Sequence, residues 1–399
     1  LAAKTEEQRF PRLGERYWAS LEEPMSVFEC RDGSRCPGGD QGNACAPNLH
    51  RRSCDFCTEG YTWNGEECTP CSGLESSPIL FPLLPILIAP LLLVMLYRFF
   101  GDTYEKWGSW RNGISTVAFI TLNHYQLVDA VLNCNIVFPR FLMEVLGIWA
   151  SSNNFTANFN LDCMGMSDIK SSILIRGLIP VIFAGCCVLV YGCSQLVAKL
   201  AQKAWLAMDR DRMLNIYGSL IFTFFNAIAA LSLVLFKCKD NPNGTKSLRV
   251  DMSVVCYSSS QWQGLLAAAI ALLLVYSVGV GGLLVRAVIV APAYFQCTGF
   301  QARWKFLFIK YRADVYWWGI AYLAQNFFVN LSFVITSEGI TQLHLIMLVT
   351  GAYLAALIGK NPYRHRVANF LDVASRISII YVSALLTWHV ERSTSARFV

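Results

Sequence analysis

The sequence predicts an all-α polytopic membrane protein of about eight transmembrane helices, with a small N-terminal disulfide-rich module on the extracytoplasmic side. Three observations predict it. The 399-residue chain is 54% hydrophobic and only 15% charged, where soluble domains carry about 25% charged residues. Apolar runs of about twenty residues recur along it, each long enough to cross a hydrocarbon core. Seven of its 15 cysteines crowd into the polar stretch 30–71, the density of a small domain stapled by disulfides in an oxidising compartment. The net charge of +6 does not call for nucleic acid. Many of the basic residues sit in short loops beside apolar runs, where membrane orientation accounts for them. Lipid is the expected partner, in the plasma membrane or another membrane of the secretory pathway.

In chain order, residues 1–29 are polar and mixed in charge, and read as a tail or the remnant of a longer ectodomain. Residues 30–75 hold Cys30, Cys36, Cys45, Cys54, Cys57, Cys68 and Cys71 between Gly, Asp, Asn and Pro. So short a segment builds little hydrophobic core, and cross-links must supply the stability. Cys54-x2-Cys57 and Cys68-x2-Cys71 match a four-cysteine zinc spacing on paper. Interleaved bridges, for example Cys54–Cys68 with Cys57–Cys71, are the rival reading, which the short spacer and the adjacent membrane run favour. The odd seventh cysteine pairs elsewhere or stays free.

Residues 76–390 form the expected transmembrane domain and 391–399 a short tail. Its candidate spans are 78–100, 113–133, 171–199, 212–236, 262–291, 314–336, 341–359 and 368–389. The second is the weakest, interrupted by Asn123, His124, Gln126, Asp129 and Asn133; "SEGI" joins the sixth and seventh in a tight helical hairpin. With the cysteine module outside, twelve Lys and Arg residues fall in cytoplasmic loops against six in outer loops, the sign the positive-inside rule requires. Both loop acceptors of the Asn-x-Ser/Thr type, Asn154 and Asn243, fall outside, where glycosylation is possible. A third match, Asn330, lies inside a span and is a chance occurrence. Cys238 and Cys256 bracket one outer loop and Cys134 and Cys163 another, so each pair is a bridge candidate.

Polar groups inside the spans are the remaining candidates. Gln126 and Asp129 lie on one stripe of the second span with Leu122, Tyr125 and Asn133. An intramembrane Asp is functional by default; the competing reading ties Gln126 and Asp129 to neighbouring helices near the outer interface. Asp372 and Arg376 are spaced i, i+4 in the last span, as an internal ion pair requires. Gln325, Asn326 and Asn330 could bridge helices through hydrogen bonds. No Walker A loop, H-E-x-x-H or G-x-S-x-G motif is present, so no enzyme is expected. The histidine spacing indicates no cofactor.

Several stretches, taken in order, carry a resemblance: "CPGG" at 36–39, "CDFCTEGYTWNGEECTPC" at 54–71, "HYQLVDAVLNCNIVFP" at 124–139, "NLDC" at 160–163, "FKCKDNPNGTKSLRVDMSVVC" at 236–256, "FIKYRADVYWWG" at 308–319 and "GKNPYRHRVANFLDVAS" at 359–375. Together they resemble the multi-pass membrane proteins of protists and algae that join ephrin-receptor-like, EGF-like cysteine-rich repeats to a transient-receptor-potential-like or polycystin-like transmembrane region. The resemblance implies a channel-like or sensor-like role. Where that family carries Y-P-x-G-x-P in the fifth span, this chain has Tyr276-Ser277-Val278-Gly279-Val280-Gly281, and losing both prolines implies a straighter helix. Where an acidic residue and an Arg-Lys pair are expected after the Trp pair, it has Gly319, Gln325 and Asn326.

Two functions follow. One is a channel or sensor that answers a signal received by the ectodomain. The other is a non-conducting accessory subunit, gripping partners outside and anchored by its helices. Other protein subunits are expected in either case, as a homo-oligomer or a larger complex. A transporter would show matched broken helices in two halves, and no such repeat is visible.

Overall fold

A computed structural model describes residues 10–72, 80–99, 107–136, 138, 163 and 168–395. It divides the chain into two units. A disulfide unit gathers Leu1–Pro78, Phe159–Ile173 and Leu235–Ala267, and a helical unit holds the remainder.

The disulfide unit is built of short antiparallel pairs: β1 (Tyr17–Trp18) with β2 (Phe28–Glu29), β3 (Leu49–His50) with β4 (Phe56–Cys57), and β5 (Tyr61–Trp63) with β6 (Cys68–Pro70). A three-stranded meander of β7 (Cys238–Asp240), β8 (Lys246–Leu248) and β9 (Asp251–Val255) belongs to the same unit. Strands this short bury little, and the core is correspondingly small: Cys30, Cys36, Leu49, Cys54 and Cys68, flanked by Trp18, Tyr61 and Trp63. Disulfides therefore carry much of the stability.

The bridges are Cys30–Cys36, Cys45–Cys54, Cys57–Cys68, Cys71–Cys163 and Cys238–Cys256. The Cys238–Cys256 expectation holds. The Cys54–Cys68 and Cys57–Cys71 pairing does not: Cys57 of β4 bonds Cys68, which stands opposite Trp63 at the turn end of the β5–β6 hairpin, and Cys54 turns back to Cys45. The odd cysteine is Cys71, which reaches Cys163 across 92 residues. Cys134 therefore keeps its thiol, buried in the helical unit. Both halves of the zinc spacing are consumed by disulfides, as are Cys30, Cys36 and Cys54, whose sulfurs cluster closely. That removes the thiolates a zinc ion needs.

The segment expected to be a tail is, over residues 10–29, part of this fold. It supplies β1 and β2, and Leu13 exchanges backbone hydrogen bonds with Gly39 at 2.8 and 3.1 Å. Gly38 and Gly39 of the "CPGG" turn make this possible, with φ of +88° and +143°. A buried carboxylate, Asp55, ties the separate stretches together. It accepts from Arg31 Nε and Nη2, each at 2.9 Å, and from the Met252 N–H of β9 at 2.8 Å.

The helical unit begins with α1 (Leu80–Phe99) and α2 (Trp110–Leu132). There follow α3 (Ile169–Leu200), which starts in the disulfide unit, then α4 (Arg210–Thr223) and α5 (Phe225–Ser232). After the meander come α6 (Ser260–Leu272), a π-helical stretch Leu273–Val280, α7 (Gly281–Tyr294), α8 (Thr298–Phe308), α9 (Trp318–Ile335), α10 (Gly339–Lys360) and α11 (Arg366–Ser395). Among the described residues, five helices are long and apolar enough to cross a membrane: Ile169–Leu200, Ser260–Tyr294, Trp318–Ile335, Gly339–Lys360 and Arg366–Val390. The pair around Phe224 makes a sixth if its 61° bend lies within one span. α1 and α2 coincide with the first two expected spans but are not among the five.

The stretch Tyr276–Gly281 is not simply straightened by its lost prolines. The helix runs on from Ser260 to Tyr294, but its wider π-helical turns bury Tyr276 and Ser277. There the Tyr276 hydroxyl donates to the Gly177 carbonyl of α3, and Ser277 bonds Ser232 of α5. α9 and α10 form the expected hairpin across "SEGI". Gly339 is needed there, because a Cβ would overlap the Asn135 carbonyl.

Candidate functional site

The site is built where α2, α9, α10 and α11 meet. Apolar layers hold these helices together: Phe119, Phe222, Tyr322, Leu357 and Tyr363 belong to one core, and Leu127, Val131, Val329, Leu343 and Ile379 to another. α11 shows why a charged pair is tolerated among them. Phe370, Ile377, Tyr381, Leu385 and Trp388 point outward, exposed, while Asp372 and Arg376 are 0% and 1% exposed. The charged residues are inside and the apolar ones outside, the pattern of a helix whose surroundings are lipid.

Arg376 donates to Asp372 Oδ1 from Nε at 2.9 Å, with Nη2 at 2.8 Å from the same oxygen. The other carboxylate oxygen accepts from the Tyr363 and Tyr353 hydroxyls at 3.0 and 3.3 Å. Tyr353 itself accepts from Trp318 Nε1 at 2.9 Å, and its ring lies 4.8 Å from the Arg376 guanidinium. Arg376 Nη2 also donates to Asn123 Oδ1 of α2 at 2.7 Å. Asn123 Nδ2 passes the chain on to Asn326 Oδ1 at 3.1 Å and the Tyr322 hydroxyl at 3.3 Å. Every partner belongs to α2, α9, α10, α11 or the turn before α11, so the pair fixes the relative register of four helices.

A buried ion pair is no free source of stability. Desolvating both charges costs several kcal/mol each, at order of magnitude, and good geometry only offsets this. Such a pair specifies an arrangement more than it strengthens one. Nη1 of Arg376, the Gln325 amide and the Thr350 hydroxyl are also buried, without a hydrogen-bonding partner among the described residues. Gln325 lies ten residues before the end of α9, Thr350 eleven after the start of α10, and Arg376 ten after the start of α11. At 1.5 Å per residue these groups share roughly one level of the bundle.

The sequence candidates divide here. Asp372 and Arg376 come together as their spacing required. Gln126 is fully buried, and its carbonyl accepts from Asn226 Nδ2 at 3.2 Å. Asn226 in turn accepts from Asn330 at 2.7 Å, so Asn330 is a helix-to-helix link, as Asn326 is. Asp129 is half-buried. The polar stripe that reaches the pair runs through Asn123, and six residues on, Asp129 is turned about 120° away. Asn123 is the residue the sequence reading passed over. Its signal was its place within the interrupted second span. His344 and His389 are exposed.

Lys310, counted as a cytoplasmic-loop charge, is buried beneath the rings of Phe119 and Phe222, 4.2 and 5.2 Å from their centroids. Its ammonium donates to the Phe306 carbonyl at 3.2 Å. Burial pushes its pKa down to about 7.

In the disulfide unit, burial by itself would raise the Asp55 carboxyl. Arg31, Arg35 and the Met252 N–H outweigh that and hold it below the usual carboxylate range. Asp251 is raised by burial, against the hydrogen bonds of Ser253. Asn243 Nδ2 donates to Ser26 at 3.0 Å, and its Oδ1 accepts from the Thr245 hydroxyl at 2.7 Å. Asn154 lies outside the described residues.

The chain matches no protein-family model, no curated protein and no solved structure.

Proposed function

We propose that this is a polytopic membrane protein of about eight spans, with α1 and α2 as the first two, acting as a channel-like or sensor-like protein. The disulfide unit lies on the extracytoplasmic side and receives a signal or partner, and the helical unit answers it. The observation that carries this reading is the Asp372–Arg376 pair, fully buried in helices whose outer faces are apolar. Charges are retained in such a place for a task by default. A neutral pair whose halves can re-pair is also the kind of element that has two arrangements. The Cys71–Cys163 bridge supports the sensing half of the reading. It fastens the cysteine-rich stretch to the residues just before α3, so a load on the unit reaches a helix through a covalent bond.

The accessory-subunit reading rests on a different observation. Gly319, Gln325 and Asn326 stand where the resembled family carries charges. One experiment separates the two. The native protein is extracted in mild detergent, sized, and every chain that travels with it identified. A symmetric homo-oligomer whose bilayer currents change on Asp372→Asn supports the channel-like or sensor-like role. Stoichiometric unrelated subunits, with no current from the purified chain, overturn it in favour of the accessory role.

A further inference from the structure

The disulfide unit contains a cleft of about 890 Å3. Its lining includes Trp18, Asn43, Asn48, Arg51, Arg52 and Gln261. The volume suits a ligand of a few rings, since small-molecule sites run from roughly 300 to 1,000 Å3.

The arginines in this cleft differ from six other basic residues of the unit. Arg12, Arg16, Arg31 and Arg35 each face a carboxylate, on Asp40, Glu29, Asp55 and Asp55 respectively. Lys239 and Lys246 do likewise, on Glu29 and Asp240. Arg51 and Arg52 have no carboxylate partner among the described residues. Arg51 is exposed, its guanidinium 4.8 Å from the Phe56 ring. Arg52 is held 4.6 Å over the Phe28 ring and donates once, from Nη1 to the Ser253 carbonyl at 3.3 Å. A guanidinium has five N–H donors, so most of the Arg52 fork is uncommitted while its position is fixed. His50 adds a third basic residue to the wall, and Asp168 is the single acid on the lining.

The backbone here is also held in an unusual shape. Asn48, Arg51, Ser53 and Cys54 have φ between 52° and 66°, a region that costs L-residues energy and persists only where the surroundings impose it. The Cys45–Cys54 bridge closes this loop. The two arginines are thus presented on a preformed support, which lowers the entropy lost on binding.

We propose that this cleft binds an acidic oligosaccharide, with Arg51 and Arg52 gripping a carboxylate or sulfate group. Planar guanidinium forks match such oxyanions with paired hydrogen bonds. The Trp18 indole offers an apolar face to a sugar ring, and the Asn43, Asn48 and Gln261 amides both donate to and accept from hydroxyls. This mix of one aromatic and three amides favours a saccharide over an acidic peptide. The inference rests on the extracytoplasmic placement of the unit, and not on conductance.

The test is calorimetric titration of the full chain in mild detergent. The probes are a sulfated oligosaccharide, an oligogalacturonate and a neutral cello-oligosaccharide, with polyglutamate as an acidic peptide. Binding of either acidic sugar but not the neutral one is expected, weakening as salt is raised. Arg51→Gln/Arg52→Gln should weaken it at least about tenfold. Arg51→Gln alone, at an exposed position, should also weaken it, which covers the case where loss of Arg52 disturbs folding. Arg12→Gln, at an exposed arginine already paired with Asp40, should leave binding unchanged. Unchanged affinity in both cleft variants, or equal binding of the neutral sugar, overturns the site. Equal binding of polyglutamate, or the same competition by added anionic phospholipid, overturns its assignment to a saccharide. Sugar binding with no effect on any current keeps the site and counts against the signalling role. Currents without sugar binding overturn the site alone.

Discussion

Removing one half of the buried ion pair should harm the helical unit more than the pair's own contribution suggests, and removing both halves should restore much of the loss. Asp372→Asn keeps the shape but leaves the Arg376 charge at 1% exposure with no anion to face, only the neutral amide oxygen in its place, Asn123 and the Tyr353 ring. Orphaning a buried charge in this way costs about 3–5 kcal/mol. Arg376→Met leaves the carboxylate, which keeps the Tyr363, Tyr353 and Ser375 donors. Its loss should fall at the lower end of the same range. The double variant has no charge to orphan. It forfeits the pair and the Asn123 bond, and at about 1 kcal/mol net per hydrogen bond it should lose only about 2–3 kcal/mol. The coupling is then about 3–6 kcal/mol, at or above the top of what neighbouring residues show. Equilibrium unfolding in mixed micelles, followed by tryptophan fluorescence, measures it. Effects of the two single changes that add within about 0.5 kcal/mol would mean that the residues act independently. The pair would then not be what sets the register of the four helices.

Three further outcomes follow from the same contacts. Peptide mapping without reduction should recover Cys71 joined to Cys163; Cys71→Ser should expose a reactive Cys163 thiol and destabilise the unit by about 4–5 kcal/mol, the entropic value for so long a loop. The disulfide unit should lose stability on acidification: Asp55 is held below its unfolded pKa, so its stabilisation is present above that value and drains away as pH falls below about 4. Asp251, whose pKa is raised, works in the opposite direction, and Asp55→Asn should flatten the loss seen in thermal unfolding against pH. For Lys310 the folded pKa of about 7 lies below the ordinary lysine value, so the buried charge opposes folding below about pH 7 and stability should rise with pH above it; Lys310→Met should remove that slope in helical-unit stability, and an unchanged slope would show that Lys310 is not its source.

Much of the architecture was legible in advance because it rests on short-range rules. Asp372 and Arg376 meet because four residues make about one helical turn. Cys238 and Cys256 were recognisable as ends of one short loop. "SEGI" left no room for anything but a hairpin between α9 and α10. Other features had no local signal. Asn123 and Arg376 are 253 residues apart, and nothing in either segment names the other. The Cys71–Cys163 bridge is of the same kind, while Cys134, the nearer candidate in the sequence, stays a buried thiol.

The sequence by itself determined that long apolar helices and a cysteine-stapled unit share one chain, because composition and hydrophobic run length are enough to require both. It also determined the i, i+4 charge pair and the crowding of seven cysteines into residues 30–71. The tertiary structure decided the partners. It chose which cysteines meet, drew the supposed tail and the 235–267 meander into one small fold, and placed Asn123 and Tyr353 rather than Asp129 around the charged pair. It also hid Lys310 under two phenylalanines and, among the described residues, left Arg51 and Arg52 without carboxylates. The physical reason is the same in each case. Periodicity and spacing act over a few residues, whereas burying a charge or closing a bridge depends on which distant segment the folded chain brings alongside.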